Sequence, residues 1–200
     1  MQVPKPIKRF AEIFAGLPGI GPRQAIRLAF YFIQQGVDFE HSTSQVIADL
    51  RKIKLCRQCF YIHENTSGLC DICEDKKRNQ GVIAIVEKET DVMSIENTGK
   101  FSGRYLIIGD LRKTGVLEAE QRLRLTSLKA WIEKELGGKA KEIIIALNPT
   151  PQGDLAASII KEELKNLATT VTRLGRGIPA GGEIEFADEE TLGSAIERRG

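Results

Sequence analysis

Apolar residues recur at three- and four-residue intervals near the start of the chain, at Phe10, Ile13, Phe14 and Leu17 and again at Ile26, Leu28, Ala29, Phe32 and Ile33. That period places most of them on one face of a helix, so the spacing predicts two amphipathic helices between Ile7 and Gln35, separated by the turn Pro18 to Pro22. A third helix is expected from about Ser44 to Ile53, with His41, Ser42 and Thr43 as a polar entry suited to capping. Past residue 80 the pattern changes. Four short runs rich in β-branched or aromatic residues, "GVIAIVE", Tyr105 to Gly109, "EIIIAL" and "TTVTRL", alternate with long helical patterns at Glu118 to Leu136 and Gly153 to Leu167. Strands separated by helices argue for a mainly parallel sheet flanked by helices, an α/β architecture. A last short strand, "EIEF", and a closing helix from near Asp188 are expected at the carboxyl end. No repeat interrupts this order.

The 200 residues carry 42% hydrophobic content, enough for a core in one ordinary domain or two small ones. No apolar run approaches the span of a bilayer, and the basic start, Met1 to Arg9, lacks the apolar stretch of a secretory signal; a cytoplasmic location is expected. Net charge is +2, unevenly placed: residues 1–80 hold 12 Lys/Arg against 8 Asp/Glu, and residues 81–200 hold 17 against 19. The amino-terminal part is therefore the better seat for an anionic partner.

The turn "LPGIGPRQA" has the residues of an anion site. Gly19 and Gly21 admit positive φ or close approach, and Pro22 suits the first position of a helix. Bare N–H groups at a helix amino terminus attract a phosphate. Arg23 and Arg27, four residues apart, lie on one helix face and can add charge to it. From Phe10 to Gln35 the chain resembles the helix-hairpin-helix motif, which contacts the nucleic-acid backbone without reading sequence. The competing interpretation is a tight turn between packed helices with solvated arginines.

All four cysteines fall in "CRQCFYIHENTSGLCDIC", with two residues inside each pair and ten between the pairs. This spacing suits tetrahedral Zn²⁺ on Cys56, Cys59, Cys70 and Cys73. Four thiolates leave no open position, so the site should be structural, tying the helical part to the sheet part. His63 lies between the pairs, outside a shell that four sulfurs already fill. An iron–sulfur cluster or a redox pair is the alternative. The following run, "EDKKRNQG", is expected to be a solvated connector.

In "IAIVEKETDVMSIE", Glu87 ends a strand and Asp91 follows where a helix can begin, at the usual ligand edge of an open α/β sheet. The run resembles the first motif of the Toprim domain of topoisomerases, primases and related nucleases. Catalytic members of that family add an Asp-x-Asp pair after a later strand to hold Mg²⁺. Here "IIIALNPTPQGD" puts Asn148 and Thr150 at those positions, leaving Glu87, Asp91 and Asp154 as a partner surface or a weak Mg²⁺ site.

The order of these motifs, together with the ending "TRLGRGIPAGGEIEFADEETL", resembles the RecR family of bacterial recombination mediators over nearly the full length. The resemblance implies four parts: a helix-hairpin-helix DNA-binding region over 1–54, a four-cysteine zinc motif over 55–76, a Toprim-like domain over 80–175 and a carboxyl-terminal strand-helix segment over 176–200. It further implies a non-enzymatic DNA-binding protein forming a ring or clamp, commonly a homotetramer. Such a protein acts with RecO, and in many bacteria RecF, to load RecA, and it is cytoplasmic and nucleoid-associated. DNA contact would fall on Gly19, Gly21, Arg23 and Arg27. The alternative is a Toprim-type metal-dependent nuclease or primase-like enzyme. A third possibility is an adaptor whose hairpin packs on another copy of itself. Two segments depart from the family pattern: "IGDLRKTGVLEAEQ" is short of the usual glycine- and proline-containing loop, and "PQGD" stands where a Glu-Gly-Glu pattern is usual.

Overall fold

The computed structural model describes residues 3–111, 115–175 and 177–197, and it divides into two compact units, Met1–Ile53 and Lys54–Gly200. The first unit is helical. Helix α1 (Lys5–Phe14) and helix α2 (Pro22–Gln35) pack against each other across the predicted turn, and helix α3 (Val37–Asp49) follows with a 3-10 turn at Leu50–Lys52. Phe10, Phe14, Phe32 and Phe39 form a chain of ring contacts, with Phe10 stacked on Phe14 at 3.9 Å between centroids. Only Ile7, Ala25 and Ala29 are buried among the described residues of this unit.

Helix α3 starts earlier than its residues suggested. Gly36, at φ 83°, ends α2 and turns the chain directly into α3, so His41, Ser42 and Thr43 lie inside the helix and cap nothing. Asp38 and Glu40 in the first turn complement the helix dipole instead.

The second unit opens with the cysteine knuckle: a two-stranded ribbon of β1 (Lys54–Leu55) and β2 (Ile62–His63), then the single turn α4 (Asp71–Glu74). The four expected runs form β3 (Val82–Val86), β4 (Arg104–Ile107), β5 (Ala140–Ala146) and β6 (Ala168–Arg173). They make one wholly parallel sheet in the order β4-β3-β5-β6. Helices α5 (Glu89–Asn97), α6 (Ala119–Glu135) and α7 (Pro151–Leu164) are its crossovers.

Both faces are covered, which explains why the strands read as nearly continuous apolar runs. Alternate residues divide between the faces. Ile83, Ile85, Leu106, Ile143 and Ile145 meet Leu125, Leu128 and Ile132 of α6 and Ala156, Ala157 and Ile160 of α7. Ala84, Val86, Tyr105 and Ile107 meet Val92 and Ile95 of α5 and Tyr61 and Ile72 of the knuckle.

The run "EDKKRNQG" is tied down rather than wholly solvated. Arg78 is held by Glu96 at 2.9 and 2.5 Å and donates to the Gly103 carbonyl at 2.8 Å. The expected strand "EIEF" is a 3-10 turn, Ile184–Phe186, with Ile184 and Phe186 exposed and no strand partner among the described residues. Helix α8 (Glu189–Glu197) closes the chain. No described helix is long and apolar enough to cross a membrane.

Candidate nucleic-acid interface and metal centre

The hairpin turn is built by backbone bonds. Leu17 N–H donates to Phe14 C=O and Ile20 N–H to Leu17 C=O, both at 3.1 Å, and Gly19 takes φ 76°, which favours glycine. Gly21 is the residue before α2, with extended backbone and no side chain to cap the helix, and Pro22 occupies the first turn. The N–H groups of Arg23 and Gln24 in that first turn thus have no side-chain cap. A Cβ at Gly19 or Gly21 would meet no atom of the chain within 4 Å. Arg23 and Arg27 are exposed, and neither pairs with another described residue. Lys8 of α1 lines the same cleft as Pro22 and Ile26 and brings a further cation beside the start of α2. Its position is set by helix packing across the hairpin, which residue spacing does not reveal.

The four cysteines are buried, unbridged by disulfides, and form a single group whose sulfurs all lie within 4.8 Å of one another. Cys59 and Cys70 sulfurs are 3.4 Å apart. A tetrahedral ion with metal–sulfur distances near 2.3 Å places its sulfurs about 3.8 Å apart, so the cage fits a tetrahedral metal. Without a cation the thiols cannot all ionise. Contact with Cys56, followed by Cys70, pushes the Cys59 thiol above the usual range, while Cys59 holds Cys56 below it. His63 stands outside the cage, its Nδ1 accepting the Asn65 N–H at 3.1 Å.

The knuckle covers the outer edge of β4. The Ile107 N–H donates to the Cys59 carbonyl at 2.9 Å. Phe60, the only described residue other than glycine with positive φ (65°), turns its ring against both apolar clusters.

The strand order reverses between β3 and β5, and the crevice at their carboxyl ends is the expected ligand position. Glu87 follows β3 there, and its Oε2 accepts from the Asn148 amide, after β5, at 2.9 Å. Asp91 caps α5, accepting the N–H groups of Glu87 and Lys88 at 3.2 and 3.0 Å. Asp154 pairs with Arg173 at 2.7 Å. Thr150 caps α7, accepting the Gly153 N–H at 3.1 Å. The structure thus gives the three acids separate donors and does not gather them; among the described residues the cysteines are the one group of three or more candidate metal ligands. Glu87, Asp110, Glu120 and Arg124 line a cleft of about 540 Å³ at this edge.

Residues 81–175 match the Toprim domain model, and residues 177–199 match the model described as RecR, C-terminal. The chain is 39% identical to the recombination protein RecR of Chloroflexus aggregans, covering 97% of this chain and 93% of that one. It is 36% identical to RecR of Paenarthrobacter aurescens, over 96% of this chain and 95% of that one. With RecR of Bifidobacterium longum subsp. infantis identity is 37%, over 96% and 94%. At this identity over nearly the whole length, the chain belongs to the RecR family of recombination proteins.

Proposed function

We propose that this chain is a sequence-independent DNA-binding recombination mediator that works without catalysis. The observation that carries the reading is the hairpin: an uncapped helix start, a glycine at 21 that no internal contact requires, and two exposed, unpaired arginines four residues apart. Together they suit a phosphate, and contact with the backbone fixes position without reading sequence. The functional DNA module is residues 1–54, with Gly19, Gly21, Arg23 and Arg27 at the contact and Lys8 beside them.

The same unit supports assembly. Among its described residues it buries three apolar side chains and leaves ten large ones exposed, including Val37 at 78% and Val46 at 66%. A helical unit so poorly self-covered is best completed by further copies. A ring or clamp, as a tetramer, would gather several hairpins on one DNA and raise affinity through multivalency. Zn²⁺ is the metal proposed for Cys56, Cys59, Cys70 and Cys73, with a purely structural role.

The neutral Asn148 and the donors already engaged by Glu87, Asp91 and Asp154 favour a partner surface over Mg²⁺-dependent catalysis. RecO, and RecF where present, are the proposed partners on this Toprim edge, and RecA loading on the nucleoid is the proposed outcome, in the cytoplasm. The test is binding to two unrelated duplexes and one single strand at fixed salt, with subunit mass measured in the same buffer. Equal affinity for the two duplexes and a mass above that of one chain are expected. Marked preference for one sequence, or Mg²⁺-dependent cleavage, would overturn the reading.

A further inference from the structure

Two arginines outside the cysteine segment reach into it. Arg104, at the start of β4, is 7% exposed and has no carboxylate partner among the described residues; its guanidinium donates to the side-chain carbonyls of Gln58 and Gln80 and lies 4.5 Å from the Trp131 ring centre. Gln58 lies between Cys56 and Cys59. Arg124, in α6, is 9% exposed, donates to the Ile107 carbonyl at 3.0 Å and to Glu120 at 2.5 Å, and lies 4.9 Å from the Phe60 ring centre. Phe60 directly follows Cys59. The Ile107 backbone is thereby gripped at both its polar groups, its C=O by Arg124 and its N–H by the Cys59 carbonyl.

A buried cation is costly unless its donors are satisfied, so Arg104 is fixed by two neutral amide carbonyls and Arg124 by Glu120 and the Ile107 carbonyl. Gln58, held by Arg104, and Phe60, whose ring lies against Arg124, belong to the turn that presents Cys56 and Cys59. We infer that Arg104 and Arg124 are positioning residues of the metal centre: the sheet and α6 hold the first cysteine pair in the geometry that binds the ion. Residues that orient metal ligands typically change affinity about 10- to 100-fold when removed. This inference rests on the reading of the cysteines as a metal site.

The experiment is Co²⁺ binding, followed by the rate of metal release to excess chromogenic chelator, in the wild type and in Gln58→Ala, Phe60→Ala and Arg124→Met. Ile160→Ala is the comparison, because Ile160 lies on α7, which packs against β5 and β6 and holds none of the cysteines. The expected result is a four-thiolate Co²⁺ spectrum in every variant and release about 10-fold faster in the first three. Ile160→Ala should lower the thermal midpoint and release metal at the wild-type rate. Wild-type release in the three variants would overturn the positioning role while leaving the metal site standing. Release in Ile160→Ala as fast as in the three would also overturn it, by reducing the effect to general stability. A wild type giving no thiolate–Co²⁺ spectrum would overturn both.

Discussion

At Gly21 the backbone is extended, at φ −86° and ψ 167°, a conformation open to any residue, and a Cβ would meet nothing. Gly21→Ala should therefore change thermal stability by less than about 0.5 kcal/mol while weakening DNA binding, as checked by melting and by titration of one duplex. Gly19 differs, because its φ of 76° strains any residue with a Cβ; Gly19→Ala should cost roughly 1 kcal/mol of stability as well. A third glycine shows the internal case. A Cβ on Gly153 would lie 2.1 Å from the Asn148 carbonyl, so Gly153→Ala should destabilise by about 3 kcal/mol or more and displace the start of α7. These roles were unequally legible. Glycine and proline spacing at 18–22 announced a special turn, whereas the demand at Gly153 comes from the backbone of a residue that folding brings close. The same holds for Asn148: its departure from an acid was readable, but its bond to Glu87 joins residues 61 apart.

Among the elements, the parallel strands were plain in the sequence because both faces are buried, and burial on both faces forces unbroken β-branched runs. The segment "EIEF" misled for the opposite reason. Its alternation spans four residues, and a strand exists only where another edge takes its hydrogen bonds. The connector misled through composition: one partly buried pair, Arg78 with Glu96, outweighs its five charged residues. Tyr105 O–H joins that pair, donating to Glu96 at 2.7 Å. The Arg78 guanidinium holds the Glu96 carboxyl below the usual range, so its contribution to stability is fully present above about pH 4.5 and falls away as the carboxylate protonates at lower pH. Burial, then Glu96, pushes the Tyr105 hydroxyl well above its usual value of 10, so stability is unaffected below that pH and falls progressively as pH rises toward the raised value. Glu96→Ala leaves Arg78 partly buried without its acid and should cost roughly 3 kcal/mol near neutral pH. The measurement is denaturant unfolding from pH 3 to 8; a variant with the wild-type acid limb would show that this pair does not set it.

For the whole molecule, the decisive contrast lies between the two units. The sheet unit buries a two-faced core, and the helical unit buries three apolar residues among those described. Melting of the full chain should consequently depend on protein concentration, rising as copies associate. Val46→Glu with Leu50→Glu, four residues apart and both exposed, should lower the mass in solution; an unchanged mass would place the subunit contact elsewhere. The helical pattern in the sequence showed that amphipathic faces exist, and only the packing shows that the helical unit does not cover them itself.

Whether the hairpin arginines grip phosphates is tested most directly by DNA affinity against salt concentration for the wild type and for Arg23→Ala with Arg27→Ala. Each phosphate contact contributes about 0.9 to the slope of log affinity against log salt on duplex DNA. The expected result is a slope shallower by about two per hairpin engaged, weaker binding to every sequence, and unchanged oligomeric mass and metal content. A double variant of unchanged mass that binds with the wild-type slope would contradict it and return the hairpin to subunit packing.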